Sequence, residues 1–346
     1  MRALVYVGPE RMEMQQVTEP ELRPGEALLA VSAAGVCGSD IHGFLGHSER
    51  RKAGLVMGHE TVARVLETGP GVSGWRPKAR VCFNPLVSCG VCPACLSGRQ
   101  NVCPDWRLFG MDRLHGTYAE RIAVPACQLH SLSESLPEEE AILVEPMAVV
   151  LHAFRISLVE TPGTMAIVGA GPIGMLALVL AKLRGLPQVC VMDVNEGRLE
   201  AARRLGADLV VHGGHRDAVE EVRAWAGGAG AECVLEAVGL AATRRAAVAA
   251  AAKGARLVFL GLAENESALP WIEMTRNEQA VFTAFAYTPR DFQASVRLVE
   301  SRRFDLKPWT ESLPLEEGQR GFLKIAHDPG STLKLLLRVG EPSRAA

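Results

Sequence analysis

Apolar and polar positions follow different patterns in three stretches of the chain. Over residues 1–148, short β-type runs such as ALVYV, EALLAVSAAGV and ARVCF are separated by Gly and Pro, which predicts a compact β-rich domain. Over residues 149–284, apolar strand-like runs alternate with Ala-rich helical segments, which predicts parallel βαβ units and a doubly wound sheet. Over residues 285–346, the pattern predicts a helix at Pro289–Glu300 and a final strand, and we expect this tail to complete the first domain.

The stretch 166–193, AIVGAGPIGMLALVLAKLRGLPQVCVMD, predicts a strand, a glycine turn, a helix and a second strand in succession. The turn has the pattern G-x-G-x-x-G, in which the glycines allow the tight turn, the approach of a pyrophosphate and the packing of helix on strand. The helix N-terminus adds free N–H groups and the positive end of the helix dipole. The stretch therefore predicts a dinucleotide site, whose candidate residues in the turn are Gly169, Gly171, Pro172, Ile173 and Gly174.

Asp193 ends the second strand of this stretch, where a carboxylate can accept hydrogen bonds from both hydroxyls of an adenosine ribose. The same carboxylate would repel a 2′-phosphate, and Val194, Asn195 and Glu196 provide no cation to offset that repulsion. We therefore expect NAD as the cofactor. Arg198 is the nearest cation, and we include it among the candidate cofactor-binding residues.

Charge and composition narrow the classes of partner. The net charge of −2 gives no general attraction to nucleic acid or to an anionic membrane, so we expect neither as a partner. The N-terminal segment lacks the apolar core and the cleavage site of a signal peptide, which favours a cytoplasmic protein. The chain has nine cysteines, and their crowding between residues 89 and 103 indicates a metal site rather than a disulfide framework.

Four cysteines form the first candidate metal site. Cys89, Cys92, Cys95 and Cys103 follow the pattern C-x2-C-x2-C-x7-C. Four thiolates suit tetrahedral Zn²⁺, and a site closed by four protein ligands leaves no open position for a substrate. We therefore predict a structural zinc; the alternatives are reduced thiols, a disulfide pair or an iron–sulfur cluster.

A second group of potential ligands lies in three other segments: Cys37 in GVCGSDIH, His59 and Glu60 in MGHE, and Glu145 in LVEPMAVVLHA. A catalytic zinc needs about three protein ligands and one open position. Cys37 and His59 supply two ligands, and Glu60 and Glu145 compete for the third place. Each residue alone also suits an ordinary structural role, so the prediction depends on the whole set.

These segments together resemble the zinc-dependent medium-chain alcohol dehydrogenases, most strongly the polyol (sorbitol-type), galactitol-phosphate and threonine dehydrogenase branch. The resemblance covers nearly the whole chain. It implies an α/β fold in which a GroES-like catalytic domain, residues 1–148 and 285–346, receives a Rossmann NAD-binding domain, residues 149–284, as an insertion. It also implies two zinc ions per chain, one catalytic and one structural, and a homodimer or homotetramer.

The resemblance further implies roles for the residues of the catalytic site. Cys37 and His59 are implied as zinc ligands, with either Glu60 or Glu145 as the third ligand and the other carboxylate nearby. Zinc lowers the pKa of a bound alcohol, so that its carbon can deliver a hydride to NAD⁺. Ser39 matches the family's first proton acceptor, and His42 matches the group that passes the proton to solvent. A turn hydroxyl and an exposed histidine are the ordinary alternatives for these two residues.

The expected reaction is oxidation of a secondary alcohol, in a polyol, a sugar alcohol or its phosphate, to a ketone. Oxidation of L-threonine is the alternative within the same chemistry, and a catalytically idle NAD-binding homologue is the alternative of a different class. Two departures from the sorbitol-type pattern weaken sorbitol itself as the substrate. Gly43 replaces an aromatic residue after the relay histidine, and Ala286 stands where an arginine usually precedes Tyr287.

Two further sets of residues are candidates for contact with the substrate. The cations Arg50, Arg51 and Lys52 could receive a substrate phosphate, although a solvated basic loop is the commoner role for such a run. By analogy with the family, three residues are candidates for lining the substrate pocket, namely Phe109, His115 and Tyr118, although a core aromatic or a surface histidine explains each of them equally well.

Overall fold

The chain folds as two compact units. The structure, a computed structural model, describes residues 1–157 and 162–340. One unit combines Met1–Glu145 with Thr288–Ala346, and the other consists of Pro146–Tyr287. The first unit therefore draws its residues from both ends of the chain.

The strands of the first unit vary more in length than those of the second. In chain order they are β1 Arg2–Gly8, β2 Arg11–Gln16, β3 Glu26–Val36, β4 Leu55–Val56, β5 Glu60–Thr68, β6 Arg80–Phe83, β7 Leu86–Val87, β8 Arg107–Leu108, β9 Arg121–Pro125, β10 Leu129–Ser131, β11 Thr164–Val168, β12 Gln188–Asp193, β13 Leu209–His212, β14 Ala231–Glu236, β15 Ala251–Phe259, β16 Ala280–Thr283, β17 Thr310–Pro314 and β18 Lys334–Arg338.

The helices begin at capping residues or prolines in several cases. Thr288, for example, precedes Pro289 and forms a reciprocal capping box with Asp291, which fixes where the tenth helix starts. In chain order the helices are α1 Gly38–Phe44, α2 Pro93–Leu96, α3 Glu138–Ala141, α4 Val144–Ile156, α5 Pro172–Leu183, α6 Glu196–Arg204, α7 Ala218–Trp225, α8 Ala241–Ala250, α9 Trp271–Arg276, α10 Pro289–Glu300 and α11 Gly318–His327.

The first unit is organised around a sheet with the strand order β10-β6-β5-β3-β18-β17, to which β9 adds by pairing with β3. Burial alternates along the first half of β3, because one face of the strand packs on the core. The C-terminal strand β18 pairs antiparallel with β3, with Leu336 opposite Gly35. The tail of the chain thus enters the sheet made by the N-terminal strands.

The second unit contains a parallel six-stranded sheet with the order β13-β12-β11-β14-β15-β16. The central strands are almost continuously buried, as expected for a parallel sheet covered on both faces. The strand order reverses between β11 and β14, and in open sheets of this kind ligands bind beyond the carboxyl ends of the strands at that point. The predicted combination of a β-rich unit and a doubly wound unit is confirmed.

The end of α8 differs from the sequence-based expectation. We expected the segment TRRAAVAAAAKG to be helical, but α8 ends at Ala250 and β15 begins at Ala251. The side-chain amide of Gln279 donates to the carbonyl oxygens of Val248 at 3.4 Å and Ala252 at 3.3 Å. These long-range contacts satisfy carbonyls at the helix end, which a local Ala-rich pattern does not reveal.

Across residues 1–157 and 162–340, no helix is both long enough and apolar enough to cross a membrane.

Candidate functional site

The four sulfur atoms of the cysteine lobe converge on one point. The ligand atoms of Cys89, Cys92, Cys95 and Cys103 all lie within 4.8 Å of one another. The Cys89 Sγ is 3.5 Å from the Cys103 Sγ and 3.9 Å from the Cys95 Sγ. A tetrahedral zinc with Zn–S distances of about 2.3 Å requires sulfurs about 3.8 Å apart. The lobe therefore fits a zinc ion, and none of the nine cysteines is in a disulfide.

Local structure explains how this short segment gathers its thiols. Cys92 is the N-cap of α2, and its sulfur accepts a hydrogen bond from the backbone N–H of Cys95. Gly90 has a positive φ of 76°, which turns the chain between the first two cysteines. Hydrogen bonds from the backbone N–H groups of Val91 and Cys92 lower the pKa of Cys89 to about 7. A thiol of this kind is readily available as a thiolate ligand at neutral pH.

Asp40, a residue of α1, is the centre of a buried polar network in the first unit. Its carboxylate is fully buried and accepts hydrogen bonds from Arg51 Nη2 at 3.0 Å and from the Tyr118 hydroxyl at 2.8 Å. The backbone N–H of Cys37 also donates to it, and His59 Nδ1 lies 3.6 Å from its Oδ1. Burial alone would raise the pKa of Asp40, but the charges of His59 and Arg51 outweigh it and hold the pKa below its usual range.

A second buried ion pair joins the two ends of the chain. Lys334, on β18, donates from Nζ to Glu60 Oε1 at 2.5 Å and to the carbonyl oxygen of Val36 at 3.2 Å. Lys334 is 3% exposed and Glu60 is fully buried. Burial alone would lower the pKa of Lys334, but the charge of Glu60 outweighs this effect and raises it. Lys334 is therefore protonated, and the Glu60 carboxylate is its partner.

The four candidate ligands of the catalytic zinc lie around these two ion pairs. His59 and Glu145 are buried, Cys37 is half-buried, and Lys334 experiences the negative charges of Cys37, Glu60 and Glu145. Burial and the charge of Glu60 raise the pKa of the Cys37 thiol. Among the residues that the structure describes, no second group of three ligand atoms converges within the distance found in the cysteine lobe. The neighbourhood nevertheless holds a half-buried Cys together with a buried His and buried Glu residues, the donor types of a catalytic zinc.

Ser39 and His42 lie on α1 close to Cys37. The Ser39 hydroxyl accepts a hydrogen bond from Arg51 Nη2 at 3.0 Å. His42 is three residues further along the helix, a spacing that places it on the same side as Ser39. Burial lowers the pKa of His42, and the nearby His47 and Arg51 lower it further. The lowered pKa leaves the His42 imidazole neutral near pH 7.

The glycine turn of the second unit is built as the sequence predicts. Gly169, directly after β11, has a φ of +103°, and a Cβ at Gly174 would lie 1.8 Å from the Gly169 carbonyl oxygen. Both positions therefore require glycine. Gly171 is the N-cap of α5, Pro172 is its first residue, and a Cβ at Gly171 would meet nothing within 4 Å. The N-terminus of this helix is thus open to a phosphate group.

Asp193, at the end of β12, is hydrogen-bonded to the glycine turn. Its carboxylate accepts hydrogen bonds from the backbone N–H of Ala170 at 2.6 Å and of Asn195 at 2.8 Å. Arg198 is half-buried in α6, burial lowers its pKa, and the charge of Asp193 partly opposes that effect. The carboxylate, the turn and the helix N-terminus therefore form one local unit that fits a dinucleotide.

Comparisons with known proteins agree with this arrangement. Residues 23–134 match the alcohol dehydrogenase GroES-like domain, and residues 172–301 match the zinc-binding dehydrogenase family. The chain is 31% identical to an L-threonine 3-dehydrogenase of Bacillus velezensis over 89% of this chain and 90% of that protein. The chain belongs to the zinc-binding alcohol dehydrogenase family. The resemblance inferred from the sequence is therefore confirmed, and zinc and a nicotinamide dinucleotide are the cofactors of this dehydrogenase.

Two further comparisons cover nearly the whole dehydrogenase. It is 29% identical to a sorbitol dehydrogenase of Bacillus subtilis over 97% of both chains. Its structure superposes on the alcohol dehydrogenase TADH from Thermus sp. ATN1 with a TM-score of 0.90 and 30% identity, over 98% of this chain and 100% of that chain.

For two of the candidate pocket residues, the structure shows the role of a core aromatic. Tyr118 is fully buried, and its hydroxyl donates a hydrogen bond to Asp40. Phe109 is buried and packs edge-to-face on Phe83, with 5.4 Å between ring centroids. His115 is exposed and accepts a hydrogen bond from a backbone N–H through Nδ1.

Cations of the basic run at residues 50–52 also form contacts within the protein. Arg50 pairs with Asp112 at 2.6 Å and lies over the Trp106 ring, while Arg51 is buried against Asp40. Two of the three cations that we considered for a substrate phosphate therefore have partners in the protein.

Sequence reasoning missed Asp40 and Lys334. Asp40 could have been found in the motif GVCGSDIH, where a carboxylate follows the candidate ligand by three residues. Lys334 is the one charged residue within the apolar run LKLLL, and a buried strand position of this kind needs an opposite charge. Nothing in the sequence, however, identifies Glu60 as that partner.

Replacing Lys334 tests the buried pair with Glu60. Lys334→Met leaves the Glu60 carboxylate buried without its cation, so we expect a loss of about 3–5 kcal/mol in the free energy of unfolding, measured by denaturant titration. Adding Glu60→Gln to this variant should restore part of the loss. The control is Lys324→Met, which removes an exposed pair with Glu311 and should cost no more than about 1 kcal/mol. Equal losses for the two lysines would contradict the assignment.

Two cysteine substitutions separate the two zinc sites. Cys95→Ser should lower the zinc content from about two to about one per chain and lower Tm, because a structural zinc contributes folding free energy. Cys37→Ser should lower the zinc content equally and abolish turnover, with a smaller change in Tm. Metal analysis and thermal unfolding measure both effects. The division into structural and catalytic zinc fails if the two variants lose equal thermal stability.

Proposed function

We propose that the protein oxidises a secondary alcohol to a ketone by transferring a hydride to NAD⁺, with a polyol or sugar alcohol as the substrate class. The observation that carries the proposal is the Ser39 hydroxyl, two residues after Cys37, which Arg51 joins to the buried Asp40 beside His59. Zinc, when bound there, supplies a Lewis acid that makes the alcohol hydroxyl more acidic.

Cys37 and His59 are the residues that we propose to hold the catalytic zinc, with either Glu60 or Glu145 as the third ligand. A zinc at Glu60 would compete with the ammonium of Lys334, which pairs with that carboxylate in the protein interior. Either choice balances charge: a thiolate, a neutral imidazole and one carboxylate offset the two positive charges of the metal. The carboxylate that is not a ligand lies nearby and assists the site.

Ser39 and His42 are the proposed path for the proton of the alcohol. Ser39 accepts the proton and donates its own toward His42, whose lowered pKa keeps its imidazole neutral and able to accept. The proton then leaves to solvent from His42, which is only half-buried. Each residue therefore moves one proton, and neither holds a charge at the end of the cycle.

The proposed cofactor is NAD rather than NADP. The carboxylate of Asp193 is fixed by two backbone N–H groups at the end of β12, in the place suited to bind the ribose hydroxyls. Arg198 is the cation that would favour a 2′-phosphate, and we assign this residue to the adenosine half of the cofactor site. Gly169, Gly171, Pro172, Ile173 and Gly174 supply the turn and helix N-terminus for the pyrophosphate.

An uncharged polyol is favoured over its phosphate. Arg50 and Arg51 already pair with Asp112 and Asp40, which leaves Lys52 without such an ion pair in the basic run. Oxidation of L-threonine is the second candidate, supported by the relative from Bacillus velezensis. A catalytically idle homologue is disfavoured, because it has no chemical need for the full set Cys37, Ser39, His42, His59, Glu60 and Glu145.

A spectrophotometric screen at about 340 nm tests the reaction, with zinc-loaded protein and either NAD⁺ or NADP⁺. The substrates are polyols, sugar-alcohol phosphates, simple secondary alcohols and L-threonine. We expect turnover with a polyol and a higher kcat/KM for NAD⁺ than for NADP⁺. Turnover of L-threonine alone would support the second candidate. NADH binding without turnover of any class would support the idle homologue.

We infer that the protein forms a homodimer or homotetramer through β16 and α9. No described strand pairs with the outer edge of β16, which ends the parallel sheet. Beside this strand in sequence, Trp271 and Ile272 are 60% and 72% exposed, although both are large and apolar. An unpaired edge with apolar neighbours suits pairing with a second copy about a two-fold axis.

Light scattering measures this assembly directly. We expect a mass of two or four chains, and we expect Ile272→Asp to lower it because a charge would be buried at the interface. Leu323→Asp places the same charge at another exposed apolar position and serves as the control. A wild-type mass of one chain would contradict the inference.

A further inference from the structure

Arg51 is a buried cation beside the proposed proton path. It is only 5% exposed. One nitrogen, Nη2, donates both to Ser39 Oγ and to Asp40 Oδ1, each at 3.0 Å. The guanidinium therefore bridges a hydroxyl proposed for proton transfer and a fully buried carboxylate.

The position of the Arg51 side chain explains why residue 43, in α1, is a glycine. A Cβ placed on Gly43 would lie 2.1 Å from Arg51 Cδ and 3.1 Å from its Cγ. Gly43 is not among the glycines with positive φ, so its backbone conformation does not itself require glycine. The position is glycine because the Arg51 side chain occupies the adjacent space.

The hydrogen bond from Arg51 restricts what Ser39 can do. A serine hydroxyl has one proton to donate and two lone pairs that accept, whereas a guanidinium only donates. Ser39 must therefore accept from Arg51, and its own proton has to point elsewhere. One lone pair is left for a second donor.

Asp40 fixes Arg51 in this position. Its carboxylate is itself held by the Tyr118 hydroxyl and by the backbone N–H of Cys37. Opposite charges in a buried site are costly to separate, so the guanidinium cannot leave Asp40 without a large free-energy penalty. The position of Ser39 Oγ is thereby tied to the N-terminus of α1.

We propose that Arg51 is a positioning residue that holds the Ser39 hydroxyl in one orientation for proton transfer, and that Gly43 gives it the space to do so. This inference rests on the proton path in the proposed function. Arg51 acts through Ser39 and need not touch the alcohol or the cofactor.

A double-mutant cycle between Arg51 and Ser39 tests the proposal with zinc-loaded protein and the best substrate of the screen. Ser39→Ala should lower kcat about 100-fold, the lower end of the effect of a proton-transfer group. Arg51→Lys keeps a cation for Asp40 but loses the planar fork, and we expect kcat to fall about 10- to 100-fold because Ser39 is misplaced. The double variant should be no slower than Ser39→Ala alone.

Two further measurements exclude a merely structural effect. The KM for NAD⁺ and the dissociation constant for NADH, measured by fluorescence, should stay within about twofold of wild type in Arg51→Lys, since binding of the cofactor does not pass through Ser39. Arg50→Lys is the matched control, because its pair with Asp112 is exposed. It should leave kcat unchanged.

The outcomes distinguish this inference from the proposed function. A folded Arg51→Lys variant with wild-type kcat overturns the inference, and so does a double variant whose losses multiply. An unchanged kcat in Ser39→Ala instead overturns the proton path on which the inference rests.

Gly43→Ala provides an independent variant in which Arg51 and Ser39 are both retained. The added methyl group should displace the Arg51 side chain and lower kcat, while it makes no further difference in the Ser39→Ala background. An unchanged kcat for Gly43→Ala in the folded protein would show that the space beside Gly43 is not needed, which would overturn that part of the proposal.

Discussion

Two carboxylates, Asp40 and Glu60, are fully buried in the first unit, and the candidate catalytic site depends on how they are neutralised. An unpaired buried charge costs several kcal/mol, so each carboxylate needs a cation within the fold. Arg51 reaches Asp40 from the loop after α1, and Lys334 reaches Glu60 from the last strand. The return of the chain's C-terminal strand to β3 therefore completes the electrostatics of the site as well as the sheet.

The two ion pairs also influence which groups are available to a metal. Each ion pair has no net charge. Asp40 lies beside Cys37 and His59, and Lys334 contacts the backbone of Val36, next to Cys37. A metal at Glu60 would have to compete with the ammonium of Lys334 for the same carboxylate, a constraint that residue type alone does not reveal.

The dinucleotide site has a different origin, because nearly all its parts are close in sequence. The turn between β11 and α5, the N-terminus of α5 and the end of β12 all lie between residues 164 and 193. Hydrogen bonds from Ala170 and Asn195 hold Asp193 in place, and both donors are backbone groups. The steric requirements at Gly169 and Gly174 are local, so the sequence pattern was enough to predict most of the dinucleotide site.

The sequence by itself determined the family, the two kinds of unit, the glycine turn and the cysteine lobe, since each depends on spacings of a few residues and on local backbone geometry. Only the tertiary structure decided that Lys334 pairs with Glu60, 274 residues away. It also decided that Arg51 is buried rather than solvated, that Tyr118 supports Asp40 and that Gly43 makes room for a side chain. These contacts depend on which distant segments of the chain are buried next to one another. A buried charge needs an opposite charge nearby, whatever the separation of the two residues along the chain.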